Sequence, residues 1–234
     1  MPRTALVTGA NRGIGLMFTR QLLARGGRVI ATCRSPGKAT ALGALAGEFP
    51  GRLSILPLDV ANDASRAELV RELPLVLGED GRLDLLLNNA GVLHSGERFG
   101  HLRQATLEHS LHVNAVAPLL LTQQLEPLLA DGAIVANLSS QLGSIEGVTR
   151  FGAPSYAISK AAQNMATAQL AQALAARGIV VLALHPGWVQ TEMGGRSATD
   201  APDAVVAGML QLIDAATPAQ SGRFFDWRGQ ALPW

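Results

Sequence analysis

Apolar runs of strand length alternate with longer stretches of helical periodicity along the chain. The apolar runs predict strands at Thr4–Thr8, Arg28–Cys33, Leu53–Pro57, Asp84–Asn88, Ala133–Leu138, Ile179–His185 and Gly222–Asp226. The periodic stretches predict helices at Ile14–Ala24, Lys38–Glu48, Ser65–Leu77, Thr106–Ala130, Pro154–Arg177 and Asp203–Ala215. This alternation is typical of a parallel sheet whose crossover helices cover both faces. Runs such as VVLALH are apolar throughout most of their length, as strands buried on both sides should be.

The looser segments of the chain all follow predicted strands. Leu93–Arg103, Ser140–Ala153 and Val189–Pro202 each come after the carboxyl end of a strand. In an open parallel sheet that edge is where ligands bind. No linker, repeat or low-complexity stretch divides the chain, so we expect one α/β domain over residues 1–234.

Composition narrows the class of protein. Hydrophobic residues make up 48% of the 234 residues, the net charge is +1 and no basic run occurs, so a nucleic-acid partner is not indicated. A single cysteine excludes an intramolecular disulfide and fits a reducing cytosol. The start of the chain lacks a signal-peptide pattern, and the run LDLLLNNAG is far shorter than the roughly 20 residues that span a bilayer. We expect a cytoplasmic protein with no membrane partner.

The first predicted strand runs directly into TGANRGIG, with glycines at positions 9, 13 and 15. A strand, a tight turn and a helix start form a phosphate cradle, because free N–H groups and the positive end of the helix dipole face the anion. Gly9 permits the turn, Gly13 lets the backbone approach a pyrophosphate, and Gly15 allows close helix–strand packing. Glycines also punctuate ordinary strand–helix turns, but the position after the first buried strand favours a nucleotide site.

Six motifs lie in order along the chain: TGANRGIG at 8–15, NNAG at 88–91, VNAVAP at 113–118, SSQLGS at 139–144, a Tyr-x-x-x-Lys pair at 156–160 and HPGWVQT at 185–191. On these motifs the chain resembles the short-chain dehydrogenase/reductase family. VIATCRSP at 29–36 and the tail SGRFFDWRGQALPW at 221–234 make it most similar to the C-factor and sniffer-type carbonyl reductases of that family. The resemblance implies an oxidoreductase on a single-domain Rossmann-type fold, a doubly wound parallel sheet of about seven strands flanked by helices.

The end of the second predicted strand bears on the choice of nicotinamide cofactor. It reads ATCRSP, without the carboxylate that Rossmann proteins preferring NAD usually carry there. Arg34 in this segment and Arg12 in the glycine turn can hold a 2′-phosphate through charge-assisted hydrogen bonds. We therefore predict NADP(H) in preference to NAD(H); the alternative is that both arginines are solvated. Cys33 is expected to pack as a small apolar residue, and the alternative is an accessible thiol beside the adenine site.

Further cofactor-binding positions are implied by the resemblance. The full set is Gly9, Asn11, Arg12, Gly13, Ile14, Gly15, Arg34, Asp59, Val60, Asn88, Ala90, Gly91, Tyr156, Lys160, Pro186, Gly187, Val189 and Thr191. Asp59 and Val60 resemble the pair that contacts the adenine, and the segment 186–191 resembles the one that holds the nicotinamide carboxamide. For NNAG a plain turn is the alternative, because Asn and Gly favour turns.

Tyr156 is the only tyrosine of the chain, and Lys160 is one of two lysines beside seventeen arginines. Residues i and i+4 share a helix face, so the phenol and the ammonium point the same way. Hydride transfer to a ketone creates an alkoxide that needs a proton, which a phenol can supply or, in reverse, remove. A free tyrosine has a pKa of about 10, and a nearby cation lowers it. The three donors of the ammonium also suit ribose hydroxyls. A chance pair on a surface helix is the alternative, which the other motifs disfavour.

Two partners of this pair are implied by the resemblance. Ser140 would hydrogen-bond the substrate carbonyl oxygen and stabilise its developing charge, while Ser139 stays open as a structural hydroxyl of the loop. The interval from Ser140 to Tyr156 is sixteen residues, a little longer than is usual in the family. Asn114 would hold a water that passes protons to Lys160; the alternative is a buried polar residue that bends its helix.

Candidate substrate residues lie in the loops at the same edge of the sheet: His94, Leu142, Phe151, Trp188 and Met193. Because they are mostly apolar, they favour a hydrophobic aldehyde, ketone or alcohol, although Trp188 could equally be packed. His109 and His112 have the spacing of metal ligands on one helix. A catalytic metal normally has three protein ligands, so we expect no metal.

The function that follows is NADP(H)-dependent reduction of a carbonyl, or the reverse oxidation of an alcohol. The alternative is a nucleotide-binding signalling protein of C-factor type with little or no turnover; the complete catalytic set named above favours the enzyme. In the resembled family the helices predicted at Thr106–Ala130 and Pro154–Arg177 commonly pair across a two-fold axis, which implies a homodimer or homotetramer.

Overall fold

In a computed structural model that describes residues 3–79 and 81–234, strands and helices alternate along the chain. The strands are β1 (Thr4–Thr8), β2 (Arg28–Cys33), β3 (Leu53–Pro57), β4 (Leu83–Asn88), β5 (Leu129–Leu138), β6 (Val180–His185) and β7 (Arg223–Asp226). The α-helices are α1 (Gly13–Ala24), α2 (Thr40–Glu48), α3 (Asp63–Leu77), α4 (Gln104–Leu111), α5 (Ala117–Leu125), α6 (Pro154–Ala173) and α7 (Pro202–Asp214). A π-helical segment, His112–Val116, joins α4 to α5.

The strands form one parallel sheet in the order β3-β2-β1-β4-β5-β6-β7. The order reverses at β1, which pairs with β2 on one side and with β4 on the other. In doubly wound sheets this reversal opens a crevice at the carboxyl ends of the strands. The predicted fold class, a single-domain doubly wound parallel sheet of seven strands flanked by helices, is confirmed.

The sheet separates two apolar layers, each covered by helices. Along β1, Val7 belongs to the layer that includes residues of α1 and α7, whereas Leu6 belongs to the layer with α3, α5 and α6. Successive side chains of a strand face opposite sides, so one strand supplies both layers. Every residue of β6 is buried, as its apolar sequence predicted.

Cys33 ends β2 with 4% of its surface exposed, within the apolar layer that also contains Ala31 and Leu42. The prediction that this residue packs as a small apolar side chain is confirmed. The alternative of an accessible thiol beside the adenine site is wrong, because the surrounding layer covers the side chain.

The helix predicted over Thr106–Ala130 differs most from the structure. The π-helical segment interrupts it, α5 ends at Leu125, and Leu129 already belongs to β5, where it pairs with Leu83 of β4. Pro127 explains why the helix stops, since proline has no N–H to continue the hydrogen-bond ladder. The prediction was therefore wrong at its carboxyl end.

Two other predicted helices are shorter in the structure. The helix expected from Lys38 begins at Thr40, after a short 3-10 turn, and the helix expected to reach Arg177 ends at Ala173. Helix ends fray into such turns, so these bounds shift without a change in topology.

Three apolar side chains are exposed on the helical segments that we expect to pair between subunits. Val116 in the π-helical segment and Ile158 and Met165 on α6 are all exposed. These side chains are accessible to a partner subunit, and the homodimer or homotetramer stays a prediction. Within residues 3–79 and 81–234, no helix combines the length and apolar character that crossing a bilayer requires.

His185, the last residue of β6, is 8% exposed. Burial lowers the pKa of His185 to about 4, and the nearby carboxylates of Asp226 and Asp200 oppose that shift only in part. In the unfolded chain a histidine titrates near pH 6.5, at about its free pKa. The unfolded state therefore binds the proton first as the pH falls, and the native state loses stability below about pH 6.5.

We expect His185→Gln to flatten this acid-side loss of stability. Between about pH 7 and pH 5 the wild-type free energy of unfolding should fall by on the order of 2 kcal/mol more than that of the variant. Urea denaturation at the two pH values measures the difference. His101→Gln, which changes an exposed histidine, should keep the wild-type pH dependence. Equal pH dependence in His185→Gln and wild type would contradict the assignment.

Candidate active site

The glycine turn lies at the carboxyl end of β1 and leads into α1. Gly9 and Gly13 have φ angles of +63° and +55°, in the left-handed region that glycine adopts most readily. A Cβ on Gly15 would lie 2.4 Å from the carbonyl oxygen of Gly9, so the backbone is packed too closely for a side chain there. The first turn of α1 has no side-chain cap from Arg12, which leaves its N–H groups facing the crevice. This cradle fits the phosphates of a dinucleotide.

Asn89 joins the NNAG turn to the glycine turn. Its Nδ2 donates to the carbonyl oxygens of Thr8 at 2.8 Å and Gly9 at 3.2 Å. In return, the Thr8 hydroxyl accepts hydrogen bonds from the N–H groups of Asn89 and Ala90. Asn89 is thus a scaffold residue that the sequence analysis missed, because the motif alone does not distinguish its two asparagines.

The neighbouring Asn88 points the other way, into the core. It is 3% exposed, and its Nδ2 donates to Asn137 Oδ1 at 2.8 Å and to Thr122 Oγ1 at 3.1 Å. Of the predicted cofactor positions in this motif, Ala90 and Gly91 are half-buried at the crevice. Asn88 therefore stands behind the turn and holds it against β5.

The other predicted cofactor positions surround the same crevice. Asp59 is exposed and Val60 half-buried after β3, where the guanidinium of the buried Arg66 donates to the Val60 carbonyl oxygen at 2.7 Å. After β6, Pro186, Gly187 and Thr191 are half-buried, and Val189 is buried. A Cβ on Gly13 would lie 3.5 Å from Thr191 Cγ2, so this segment closes over the glycine turn.

The two arginines predicted to bind a 2′-phosphate differ in their surroundings. Arg34 is exposed directly after β2. Arg12 forms an ion pair with Glu192, a residue of the segment after β6 that the sequence analysis did not identify. Because the two side chains of that pair are 63% and 76% exposed, water screens the interaction and a bound anion can replace it.

Tyr156 lies in the first turn of α6 and is half-buried, and the Ser140 side chain is near enough to lower the pKa of its phenol by hydrogen bonding. Ser140 follows β5 and also accepts a hydrogen bond from the N–H of Leu142 at 3.2 Å. Ser139 instead donates to Asn164 Oδ1 at 2.5 Å and is turned into the core. Of the two serines, it is Ser140 that the fold brings to the phenol, in spite of the long interval between them.

Lys160 lies one helical turn further along α6 and is buried. Its Nζ is 5.5 Å from the centroid of the Tyr156 ring and donates to the Leu138 carbonyl oxygen at 2.6 Å and to Gln163 Oε1 at 2.9 Å. Gln163 is a partner that the sequence analysis missed; its only signal is the i+3 spacing from the lysine. The predicted shared face of the phenol and the ammonium is present in the structure.

The electrostatics of the pair differ from the prediction. Burial raises the pKa of Tyr156 to about 12, and only the hydrogen bond with Ser140 lowers it. Burial also lowers the pKa of Lys160 to about 7. With that pKa the amine is only partly protonated at neutral pH, so it stabilises the phenolate less than a permanent cation would. The expected lowering of the phenol's pKa was therefore wrong, because desolvation raises this pKa by more than the Ser140 hydrogen bond lowers it.

Asn114 occupies the middle of the π-helical segment and is fully buried. Its Oδ1 accepts from the N–H of Val92 at 2.8 Å, and its Nδ2 donates to the Val92 carbonyl oxygen and to Ser159 Oγ, both at 2.9 Å. These bonds use both hydrogens of the amide. Asn114 thus ties the segment after β4 to α6, whichever of its two predicted roles applies.

The predicted substrate residues form the outer rim of the crevice. Leu142, Phe151, Trp188 and Met193 are all exposed. The fifth, His94, turns its Nε2 to His109 Nδ1, 3.1 Å away. The rim is therefore mostly apolar, with an imidazole pair on the side of α4.

The histidines with ligand-like spacing do not face a common point. His109 contacts His94, whereas His112 Nε2 lies 2.7 Å from the carbonyl oxygen of Ala61. In the portion of the chain that the structure describes, no three His, Cys, Asp or Glu side chains converge in a way that could hold a metal ion.

Because Tyr156 is the only tyrosine, the absorbance of tyrosinate reports on this one phenol. At about pH 10 the denatured chain should be about half ionised, whereas the native protein should show little phenolate, since burial raises the pKa of Tyr156 to about 12. Ser140→Ala should suppress native ionisation further, because it removes the hydrogen bond that lowers this pKa. Spectrophotometric titration measures both. Native ionisation equal to that of the denatured chain would show that the phenol is hydrated.

Known proteins of two organisms are similar to this chain in sequence. The C-signal of Myxococcus xanthus is 45% identical over 157 residues, which cover 66% of this chain and 94% of that protein. The 1-hydroxy-2-glutathionyl-2-methyl-3-butene dehydrogenase of Rhodococcus sp. (strain AD45) is 36% identical over 99% of both chains.

Solved structures of carbonyl reductases match the whole chain. The NADPH-bound carbonyl reductase from chicken fatty liver superimposes with a TM-score of 0.94 at 37% identity, covering 100% of this chain and 99% of that one. Carbonyl reductase Sniffer of D. melanogaster gives a TM-score of 0.95 at 33% identity, with complete coverage of both chains. The family model described as short chain dehydrogenase matches residues 3–202. The chain therefore belongs to the short-chain dehydrogenase/reductase family of oxidoreductases.

Proposed function

We propose that this protein is an NADP(H)-dependent carbonyl reductase, which reduces a hydrophobic aldehyde or ketone to the alcohol or catalyses the reverse reaction. The observation that carries the proposal is a half-buried phenol, Tyr156, that has the Ser140 side chain and the Lys160 amine beside it. This group lies at the same crevice as the glycine cradle. The apolar rim supports a hydrophobic substrate.

In the proposed reaction Tyr156 is the general acid and base. Its hydroxyl donates a proton to the carbonyl oxygen during reduction and accepts it back during oxidation. When bound, the nicotinamide ring supplies or accepts the hydride. A phenol whose pKa is raised to about 12 keeps its proton at neutral pH until an alkoxide, a much stronger base, requires it. The protonated phenol is the form that donates a proton during reduction.

Ser140 and Lys160 assist the phenol in different ways. The Ser140 hydroxyl would donate to the same substrate oxygen and stabilise its developing negative charge. Lys160 would hold the ribose hydroxyls of the cofactor. It would also return a proton to Tyr156 after the phenol has donated its own, a role that suits an amine whose pKa is lowered to about 7. For Asn114 we propose mainly that it shapes the π-helical segment, since its amide hydrogens are engaged with Val92 and Ser159.

The cofactor part of the proposal is a preference for NADP(H) over NAD(H). Arg34 is exposed at the end of β2, and Arg12 has only a weak, solvent-screened partner, so both are available to a 2′-phosphate. The NADPH-bound carbonyl reductase from chicken fatty liver supports the same choice by its likeness to this chain.

Binding measurements test this preference. Arg12→Gln and Arg34→Gln should each weaken NADPH binding by about tenfold and leave NADH binding unchanged, because each removes a charge-assisted hydrogen bond to the phosphate. Fluorescence titration at fixed salt gives both dissociation constants. Arg20→Gln, which removes an exposed arginine of α1, is the matched control for charge. Equal affinities of the wild-type protein for NADPH and NADH would refute the preference.

Turnover tests the catalytic part. Tyr156→Phe should lower kcat for carbonyl reduction by about 10²–10⁴-fold, the usual contribution of a general acid, because it removes the proton donor and leaves the ring. NADPH absorbance with a panel of hydrophobic aldehydes and ketones measures the rate. Retained NADPH binding shows that the variant is folded. A variant as active as wild type would rule out the phenol as the acid.

A signalling protein that binds the nucleotide with little or no turnover is the second candidate. It is favoured by the 45% identity with the C-signal of Myxococcus xanthus. The grouping of Ser140, Tyr156 and Lys160 speaks for turnover, since binding alone does not need a proton donor. Wild-type protein that binds NADPH but reduces no member of a broad carbonyl panel would favour the second candidate.

A further inference from the structure

Helix α6, which carries Tyr156 and Lys160, begins without a cap of its own. Its N-cap residue is Ala153, whose side chain has no oxygen to accept a hydrogen bond from the first turn. Ala153 also has φ +42°, and it is the one non-glycine residue of the described ranges in the left-handed region. Alanine disfavours that conformation, so it persists only where the surroundings hold it. Something other than the local sequence must stabilise this helix start.

Glu97 supplies the missing cap from the loop between β4 and α4. Its Oε2 accepts hydrogen bonds from the N–H of Ser155 at 3.2 Å and from the Ser155 hydroxyl at 2.7 Å. Ser155 is the second residue of α6 and is fully buried. A carboxylate here satisfies a free N–H and faces the positive end of the helix dipole. The cap comes from a residue 58 positions earlier in the chain.

The second carboxylate oxygen of Glu97 is buried and has no hydrogen-bond partner in the part of the chain that the structure describes. Burying an unpaired carboxylate oxygen opposes folding. Helix capping alone could be achieved by a serine or aspartate at the N-cap without that cost. The placement therefore points to a role in orienting α6 beyond stabilising it.

The same loop contacts the segment before α6 at a second point. The rings of Phe99 and Phe151 meet edge to face, with centroids 5.8 Å apart and planes at 86°. The two ties, Glu97 to Ser155 and Phe99 to Phe151, lie on either side of Ala153. Together they join the loop after β4 to the loop after β5 at Ala153, the strained residue that leads into α6.

We propose that Glu97 is a positioning residue for Tyr156. By holding the N–H and the hydroxyl of Ser155, it sets the direction of the first turn of α6 and so the place of the adjacent phenol relative to Ser140. The kinetic consequence of this inference rests on the proposed function, whereas its structural consequence does not.

The single tyrosine makes the structural consequence directly measurable, because isotope-labelled tyrosine gives one ring signal in the NMR spectrum. Glu97→Ala, which removes both acceptors, should shift or broaden the Tyr156 signal in the folded protein. Glu97→Gln keeps an amide oxygen that can accept the same two bonds and should retain the wild-type signal. Glu68→Ala removes an exposed glutamate of α3 as the matched control and should change nothing.

Kinetics provide the second measurement. Glu97→Ala should lower kcat for carbonyl reduction by about tenfold, the size of effect expected when a reacting group is displaced by a fraction of an ångström. KM for NADPH should change much less than kcat, since the glycine cradle lies on β1 and α1 and Lys160 is held further along α6 by its own bonds to Leu138 and Gln163. Glu97→Gln should restore kcat to within about twofold of wild type. A purely structural role would alter the amount of folded protein, not the split between kcat and KM or the rescue by glutamine.

The inference is overturned if Glu97→Ala leaves the Tyr156 signal and kcat as in wild type, or if Glu97→Gln alters them as much as alanine does. Should Glu97→Ala not fold, Ser155→Ala removes the shorter bond from the other partner and is judged by the same signal. Absence of turnover in the wild-type protein would refute the proposed function, and the NMR comparison would still decide the role of Glu97.

Discussion

A half-buried phenol beside a buried amine is the arrangement on which the rest of this site depends. Burial raises the pKa of Tyr156 to about 12 and lowers that of Lys160 to about 7, so it favours the neutral form of both. The phenolate and the ammonium therefore each depend on hydrogen bonds with neighbouring groups for their stabilisation. Ser140 supplies one to the phenol oxygen, and Leu138 and Gln163 accept those of the ammonium. The geometry of these partners decides whether a proton can move at neutral pH.

A chain of buried polar contacts links the lysine to the sheet. Gln163 accepts from the Lys160 ammonium through its side-chain Oε1 and from the Thr167 hydroxyl through its backbone carbonyl oxygen. The Thr167 hydroxyl also accepts a hydrogen bond from Asn137 Nδ2 of β5. Asn137 in turn accepts from Asn88 at the end of β4. Polar groups in a core must be paired, so this chain holds α6 at one depth and angle over the strands. The NNAG motif thereby supports the helix of the proposed catalytic group as well as the glycine turn.

Local patterns predicted the regular parts of the fold well. The bounds of the first three strands agree with the apolar runs, and the glycine turn follows β1 as its position indicated. The spacing of Tyr156 and Lys160 was enough to put both on one helix face, because helical geometry depends only on neighbours in sequence. The helix across Pro127 failed because its periodicity continues through a residue that cannot extend the ladder.

The amino-acid sequence by itself determined the order of strands and helices, the phosphate cradle and the identity of the phenol and amine, since each rests on contacts between residues close in the chain. Tertiary structure alone decided which asparagine faces the glycine turn, which serine meets the phenol, and which charges lie beside Arg12 and at the start of α6. Asn89, Glu192 and Glu97 reach partners 58 to 180 positions away. Such pairings follow from how the crossovers bring strand ends together. The desolvation that reverses the expected pKa of the phenol has the same origin, because burial is a property of the packed fold and of no single segment.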